Sequence, residues 1–162
     1  MPLYTPLPPP WAVGDLADLT QDQANTRTAN NCYYSPIVLY STVTITSMRT
    51  QIGTGGNGHI QMGVYDANGN LLASTASAAT VAGIMTLPLT SALTIGPGRY
   101  YLALWIDNAT DTTFSANGTT PGAWPALNGV NAGGLPALMS TSTPVNFHRR
   151  LALLGLITGG WS

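Results

Sequence analysis

The sequence contains neither lysine nor glutamate, although it is 162 residues long. Its basic residues are all arginine and its acidic residues are all aspartate, and charged residues make up 7% of the chain, against about 25% in typical soluble domains. Lysine and glutamate normally fill the exposed faces of helices, so their absence disfavours a mostly helical protein. Five scattered arginines are too few for a large basic patch, which disfavours nucleic-acid binding.

Cysteine is nearly absent too. Cys32 is the only one, which excludes an internal disulfide and a metal site built from cysteines alone. The chain also lacks a long apolar run, because Leu151 to Ile157 is far shorter than the about 20 residues that span a bilayer. Its first residues have neither the basic nor the apolar region of a secretory signal. We therefore expect no membrane insertion and synthesis in a cytoplasm.

The chain is rich instead in glycine (18), proline (12) and residues that form strands. With 44% hydrophobic residues and a net charge of −1, disorder is disfavoured. Many short β-branched and aromatic segments alternate with turn signals from about residue 31 onward. This pattern predicts an all-β domain over residues 31–162, an antiparallel β-sandwich of jelly-roll-like type.

Three neighbouring segments carry the clearest strand signals. His59 to Tyr65 alternates, which predicts a strand with His59, Gln61 and Tyr65 facing outward. Asp66 to Gly69 predicts a hairpin turn, because Asn-Gly accepts the positive φ angles such turns need. Arg99 to Ile106 is apolar on both faces, which predicts a central strand or one whose outer face meets a partner.

Residues 1–30 differ from the rest and are predicted to form an extended, proline-rich N-terminal arm. The prolines favour polyproline II backbone, and the segment has too little periodic apolar surface for a core of its own. It is either a flexible tail or a segment that lies along another surface, and its apolar residues favour docking. The residues predicted to anchor it are Pro8, Pro9, Pro10, Trp11, Leu16 and Leu19.

A long loop at about residues 117–144 is rich in glycine, proline and asparagine. Loops of this length in compact domains usually serve function or contact a partner. Because flat aromatic faces with polar tips suit sugar rings, Trp124 in this loop and Tyr65 are candidate contacts for a glycan. Aromatic residues on strands are more often core or interface residues, so Tyr101 and Trp105 are predicted at a subunit interface.

The doublet Arg149-Arg150 lies in an otherwise uncharged strand segment. An arginine that points to the interior or to a seam needs an acidic or carbonyl partner, which makes Arg149 and Arg150 candidates for the same subunit interface. A solvated strand edge is the alternative.

Residues suited to catalysis or metal binding are scarce. The two histidines, His59 and His148, show no spacing typical of a zinc site, and no Gly-x-Ser-x-Gly motif is present. Asp107 to Asp111 could offer oxygen ligands to calcium, but the segment lacks a full ligand set, and such residues at a strand end usually form turns. Whether Asp107 and Asp111 bind a metal is left open. We predict no catalytic residues, no metal site and no cofactor, and a small glycan-cleaving enzyme is the least favoured interpretation.

Between about Asn30 and Ala116 the chain carries a series of short motifs. They are NCYYSP from residue 31, VTIT from 43, HIQMGVYD from 59, LLAS from 71 and LTIGPGRYYLAL from 93. In this order they resemble the jelly-roll modules of structural proteins in tailed bacteriophages, which occur on head decorations, head fibres and tail fibres or tips. Tyr101 stands where tryptophan is common in those modules.

The resemblance implies a non-enzymatic protein on the surface of a virion, often a homotrimer, that binds other capsid or tail proteins. Two roles follow from it. The first is a capsid decoration or head-fibre protein anchored by its N-terminal arm. The second is a tail-fibre or tip adhesin that recognises host surface glycans. A net charge near zero agrees with either, because such a surface favours association over solubility as a free monomer.

Overall fold

The computed structural model describes residues 29–112 and 133–139, together with the backbone of strands at 11–14, 23–26, 113–117, 127–130, 149–151 and 153–157. All the regular elements in these residues are strands, which confirms the predicted all-β class. The strands are β1 (Trp11–Gly14), β2 (Gln23–Thr26), β3 (Asn31–Leu39), β4 (Val43–Ile52), β5 (His59–Asp66), β6 (Leu71–Ser74), β7 (Ala78–Ala79), β8 (Gly83–Ile95), β9 (Gly98–Ile106), β10 (Thr112–Asn117), β11 (Leu127–Val130), β12 (Arg149–Leu151) and β13 (Leu153–Ile157).

The strands form two antiparallel sheets. The first sheet has the order β1-β13-β4-β10-β12, with β8 also on β4 and β2 also on β10, and the second has the order β11-β3-β9-β5-β6, with β7 also on β5. The main pairs are nested along the chain, because β3 pairs with β9, β4 with β8, and β5 with β6. The first and third of these pairs lie in the second sheet, and the pair β4–β8 lies in the first sheet. The chain therefore forms the predicted antiparallel sandwich with a jelly-roll-like order.

The main core fills the space between the sheets. Strand β4 alternates buried and more exposed positions, as the pleat requires, whereas β3, β5 and β9 have runs of consecutive buried positions. In β4 the buried positions change from odd to even numbers after Ile45, because a bulge shifts the register with β8 between Ile45 and Ser47. The buried side chains are Tyr33, Leu39, Val43, Ile45, Met48, Ile52, Ile60, Met62, Val64, Ala73, Met85, Leu89, Ile95, Leu102, Leu104 and Ile106.

The same irregularity closes one side of the sandwich. At the bulge β8 leaves its partner β4, and Leu89 forms an isolated bridge with Thr75 beside the second sheet. The hydroxyl of Thr90 donates to the carbonyl oxygen of Ser74 at 3.0 Å. Strand β8 therefore joins the edges of both sheets.

Two pieces of the predicted arm belong to the sandwich. Strand β1 pairs with β13, with Trp11 opposite Ile157, and β2 pairs with β10. These pieces are extended as predicted, but they lie on the chain's own first sheet. The other proposed anchoring residues, Pro8, Pro9, Pro10, Leu16 and Leu19, fall outside the described residues. Arg149 and Arg150 lie in β12, where their backbone pairs with β10.

Candidate functional site

The outer face of the second sheet carries an aromatic layer, which we define as Cys32, Tyr34, Tyr65, Ala103 and Trp105. All five side chains are buried in a cluster separate from the main core. The rings of Tyr34 and Tyr65 meet edge to face, with centroids 5.3 Å apart and planes at 88°, an arrangement that the ring quadrupoles favour. Burial raises the pKa of the Cys32 thiol to about 11, and burial also raises the pKa of both tyrosines.

Residues 133–139, which we call the strap, cover this layer. Leu135 and Met139 pack against it. The hydroxyl of Tyr65 donates to the carbonyl oxygen of Pro136 at 2.7 Å, and the backbone N–H of Leu135 donates to Oε1 of Gln61 at 2.9 Å. The strap is thus held by hydrogen bonds as well as by apolar contact.

The C-terminal half of the strap runs along the start of β6. The backbone N–H of Leu71 donates to the carbonyl oxygen of Ala137 at 2.9 Å, and that of Met139 donates to Gly69 at 2.7 Å. Leu138 forms an isolated bridge with Asn70 between these two contacts. This half of the strap therefore adds a short antiparallel segment at the edge of the second sheet.

The strap corrects two of the sequence predictions. Tyr65 faces outward as predicted, but it is 0% exposed, so it offers no surface to a glycan. Trp105 is 6% exposed and has little surface left for a neighbouring subunit, while Tyr101 is partly buried against the same layer. The partner that covers the outer face of β9 is the chain's own loop. Trp124, the other candidate glycan contact, lies outside the described residues.

A polar cluster lies at one end of the sandwich, where residues 53–58, 76–82 and 107–111 meet. At its centre Asp111 is fully buried. Its carboxylate accepts hydrogen bonds from Nδ2 of Asn57 (2.9 Å), from Nδ2 of Asn108 (3.0 Å) and from the hydroxyl of Thr80. Burial alone would raise the pKa of Asp111, but these donors outweigh it and hold the pKa below its usual value.

Asp107 extends the polar cluster to the surface. Its Oδ1 accepts the backbone N–H of His59 at 2.7 Å, and its Oδ2 lies 3.0 Å from Nδ1 of the same residue. The His59 side chain is 56% exposed. Burial would raise the pKa of Asp107, but hydrogen bonds from His59 and Asn108 lower it overall.

The turn interpretation of residues 107–111 accounts for their geometry. Oδ1 of Asn108 accepts the backbone N–H groups of Thr110 at 3.0 Å and of Asp111 at 2.8 Å, as short polar side chains do in turns. Gly58 packs so closely that a Cβ there would lie 2.0 Å from Nδ2 of Asn108. In the part of the chain that the structure describes, no three histidine, cysteine or acidic side chains are grouped as a metal site requires.

Sequence reasoning singled out Asp107, Asp111 and His59 but missed Asn57 and Thr80. Their loops are distant in sequence from residues 107–111, and no spacing or motif links them. The hydrogen bond between Gln61 and the strap was missed for the same reason. His148, the other histidine, lies outside the described residues.

The chain was compared with protein-family models, curated proteins and solved structures. No family model, curated protein or solved structure matches it. Among the described residues there is also no helix long and apolar enough to cross a membrane. Its role must therefore be argued from its own residues.

Proposed function

We propose that the chain is a non-enzymatic structural module on the surface of a bacteriophage virion, most simply a capsid decoration or head-fibre protein attached through its N-terminal segment. The motifs that resemble phage jelly-roll modules fall on β3, β4, β5, β6, β8 and β9. These strands supply the main core. The resemblance therefore concerns the body of the sandwich and not its periphery.

The observation that carries the non-enzymatic part of the proposal is that the described aspartates accept structural hydrogen bonds. Asp66 accepts the backbone N–H groups of Asn68 at 2.9 Å and Asn70 at 2.8 Å, which closes the hairpin between β5 and β6. Asp107 and Asp111 hold the polar cluster together. A carboxylate whose pKa is lowered by several donors is a weak base and a poor proton source at neutral pH. This supports a scaffold rather than a catalytic role for the described aspartates.

The opposite end of the sandwich carries two large exposed apolar side chains, next to the strand ends that hold Arg99 and Asp66. Asn31 at the start of β3 pairs with Ile106, beside the polar cluster, so the end of β3 lies far from it. There Tyr40 is 87% exposed and Val38 is 49% exposed. Large exposed apolar side chains favour contact with neighbouring proteins. This end is therefore one described surface suited to a contact within a particle.

Incorporation into virions tests the proposal. Because β1 and β2 belong to the sandwich, the informative truncation removes residues 1–10 and leaves both strands. We expect this variant to fold with an unchanged circular dichroism spectrum and to be lost from purified particles of the phage that encodes it. A variant with residues 1–10 in scrambled order controls for length. Normal incorporation of the truncated chain would contradict attachment through this segment.

Copy number separates the proposed role from the alternative, a tail-fibre or tip adhesin. Hundreds of copies per particle, measured by quantitative mass spectrometry, are expected for a capsid decoration. A handful of copies, together with glycan binding that Trp124→Ala abolishes, would favour the adhesin.

A further inference from the structure

Strand β1 covers an edge that is unsuited to solvent. It pairs with β13, and among the described strands it pairs with no other. Strand β13 has the sequence LLGLI, without charge and without proline. Exposed edges with such sequences are sites of strand addition, because their backbone donors and acceptors lack partners and nothing repels a second strand. The β13 edge therefore needs a covering strand.

The connection after β1 is long enough for this strand to reach beyond its own chain. Strand β1 has four residues, and residues 15–22 connect it to β2. That connection can span about 30 Å when fully extended. Strand β1 of one copy can therefore reach β13 of an adjacent copy while β2 keeps its place on β10.

We propose that β1 is an exchangeable strand: in assemblies of this chain, Trp11–Gly14 of one copy pairs with Leu154–Ile157 of a second copy. The register is the one seen within the chain, where Trp11 lies opposite Ile157 and Gly14 opposite Leu154. Both arrangements form the same backbone hydrogen bonds, so concentration and the length of the connection decide between them. The inference rests on the proposed assembly role and deepens it by naming a second copy as the partner of this strand.

Paired cysteines test the exchange directly. Val13 lies opposite Gly155 in the register, and Ala12 lies opposite Leu156. Opposed residues of antiparallel strands have Cα atoms about 4.5–5.5 Å apart, within the range that a disulfide bridges. The two double variants are Val13→Cys with Gly155→Cys, and Ala12→Cys with Leu156→Cys. Both are used because close and wide pairs alternate, and native Cys32 is buried.

The purified variants are oxidised over a range of protein concentrations and run on non-reducing gels. We expect monomers with an internal disulfide at low concentration and covalent dimers or closed larger species at high concentration. Each single-cysteine variant controls for random oxidation. Internal disulfides alone at every concentration, or no disulfide in either double variant, would overturn the exchange.

The two proposals can fail separately. Covalent multimers from purified protein together with normal virion incorporation of the chain without residues 1–10 would leave the exchange standing and remove the proposed attachment. Loss of that truncated chain from virions, with internal disulfides only, would give the opposite result.

Discussion

The hydroxyl of Thr80 donates a hydrogen bond to the carboxylate of Asp111, a residue 31 positions later in the chain. Asp111 is fully buried, and an ionised carboxylate in such a place requires hydrogen-bond donors. The oxygen of the same hydroxyl accepts the backbone N–H of Gly56 at 3.0 Å, and the backbone N–H of Thr80 donates to the carbonyl oxygen of Gly58 at 2.8 Å. Thr80 therefore links the three loops that form the polar cluster.

Replacing Asp111 by asparagine should destabilise the fold. The amide would turn a donor toward Asn57, Asn108 or Thr80, all of which donate to the native carboxylate. Lost hydrogen bonds to a buried charged group cost about 2–3 kcal/mol, which urea denaturation can measure. Asp66→Asn, in an exposed hairpin turn, is the matched control and should cost less. Equal losses in the two variants would contradict a special role for the buried carboxylate.

The free energy of unfolding should fall as the solution becomes acidic. The pKa values of Asp107 and Asp111 are lowered in the folded protein from an ordinary value of 3.8, so at acidic pH the unfolded chain binds more protons than the folded chain. Stability then increases with pH in that range. It is fully present above the unfolded pKa and is lost as pH falls through the folded values. Denaturation at a series of pH values checks this, and Asp111→Asn should flatten the curve below pH 3.8.

Gly58→Ala should loosen the polar cluster. The new Cβ would lie 2.0 Å from Nδ2 of Asn108 and 2.2 Å from Oδ1 of Asp107, and moving either side chain away breaks its hydrogen bonds. We expect a loss of about 1–3 kcal/mol, as for other overpacked sites. Gly96→Ala is the control, because the nearest atom to its added Cβ is 4.0 Å away. A Gly58→Ala protein as stable as this control would show that the cluster adapts without cost.

The single cysteine can report on the strap. Cys32 is 0% exposed and its thiol pKa is about 11, so it should react slowly with thiol reagents at neutral pH. Leu135→Ala removes apolar contact between the strap and the aromatic layer, and a loss of about 1.4 kcal/mol in strap docking would raise the reaction rate about tenfold.

Leu138→Ala is the matched control for the strap, because this side chain belongs to the same segment but is 60% exposed. We expect Cys32 in this variant to react with the thiol reagent as slowly as it does in the unaltered protein. Similar rates in Leu135→Ala and in the unaltered protein would mean that the strap does not protect Cys32.

Local sequence patterns predicted the strands well where one rule governs the backbone. The alternation in β5 placed Ile60, Met62 and Val64 inward, and all three are fully buried. The two-sided apolar pattern of β9 predicted a central strand, and it lies between β3 and β5. The hairpin at Asp66 to Gly69 is also confirmed, with φ of 86° at Gly69. In each case the pleat or the turn ties the pattern to neighbouring residues alone.

Contacts between residues distant in the chain could not be predicted from sequence patterns in the same way. Alternation showed that Tyr65 faces outward, but it could not show that Pro136 and its neighbours lie over that face. Proline spacing predicted an extended N-terminal segment, but it did not show that Trp11 would pair with Ile157.

The sequence by itself determined that this protein is an all-β sandwich with little charge, because composition and alternation act through the local preferences of the backbone. Tertiary structure alone decided which outward faces are covered, where the N-terminal strand lies, and that Asp111 is buried among Asn57, Thr80 and Asn108. Those outcomes depend on which distant segments pack together, and packing depends on complementary shape and hydrogen bonding that no local spacing encodes.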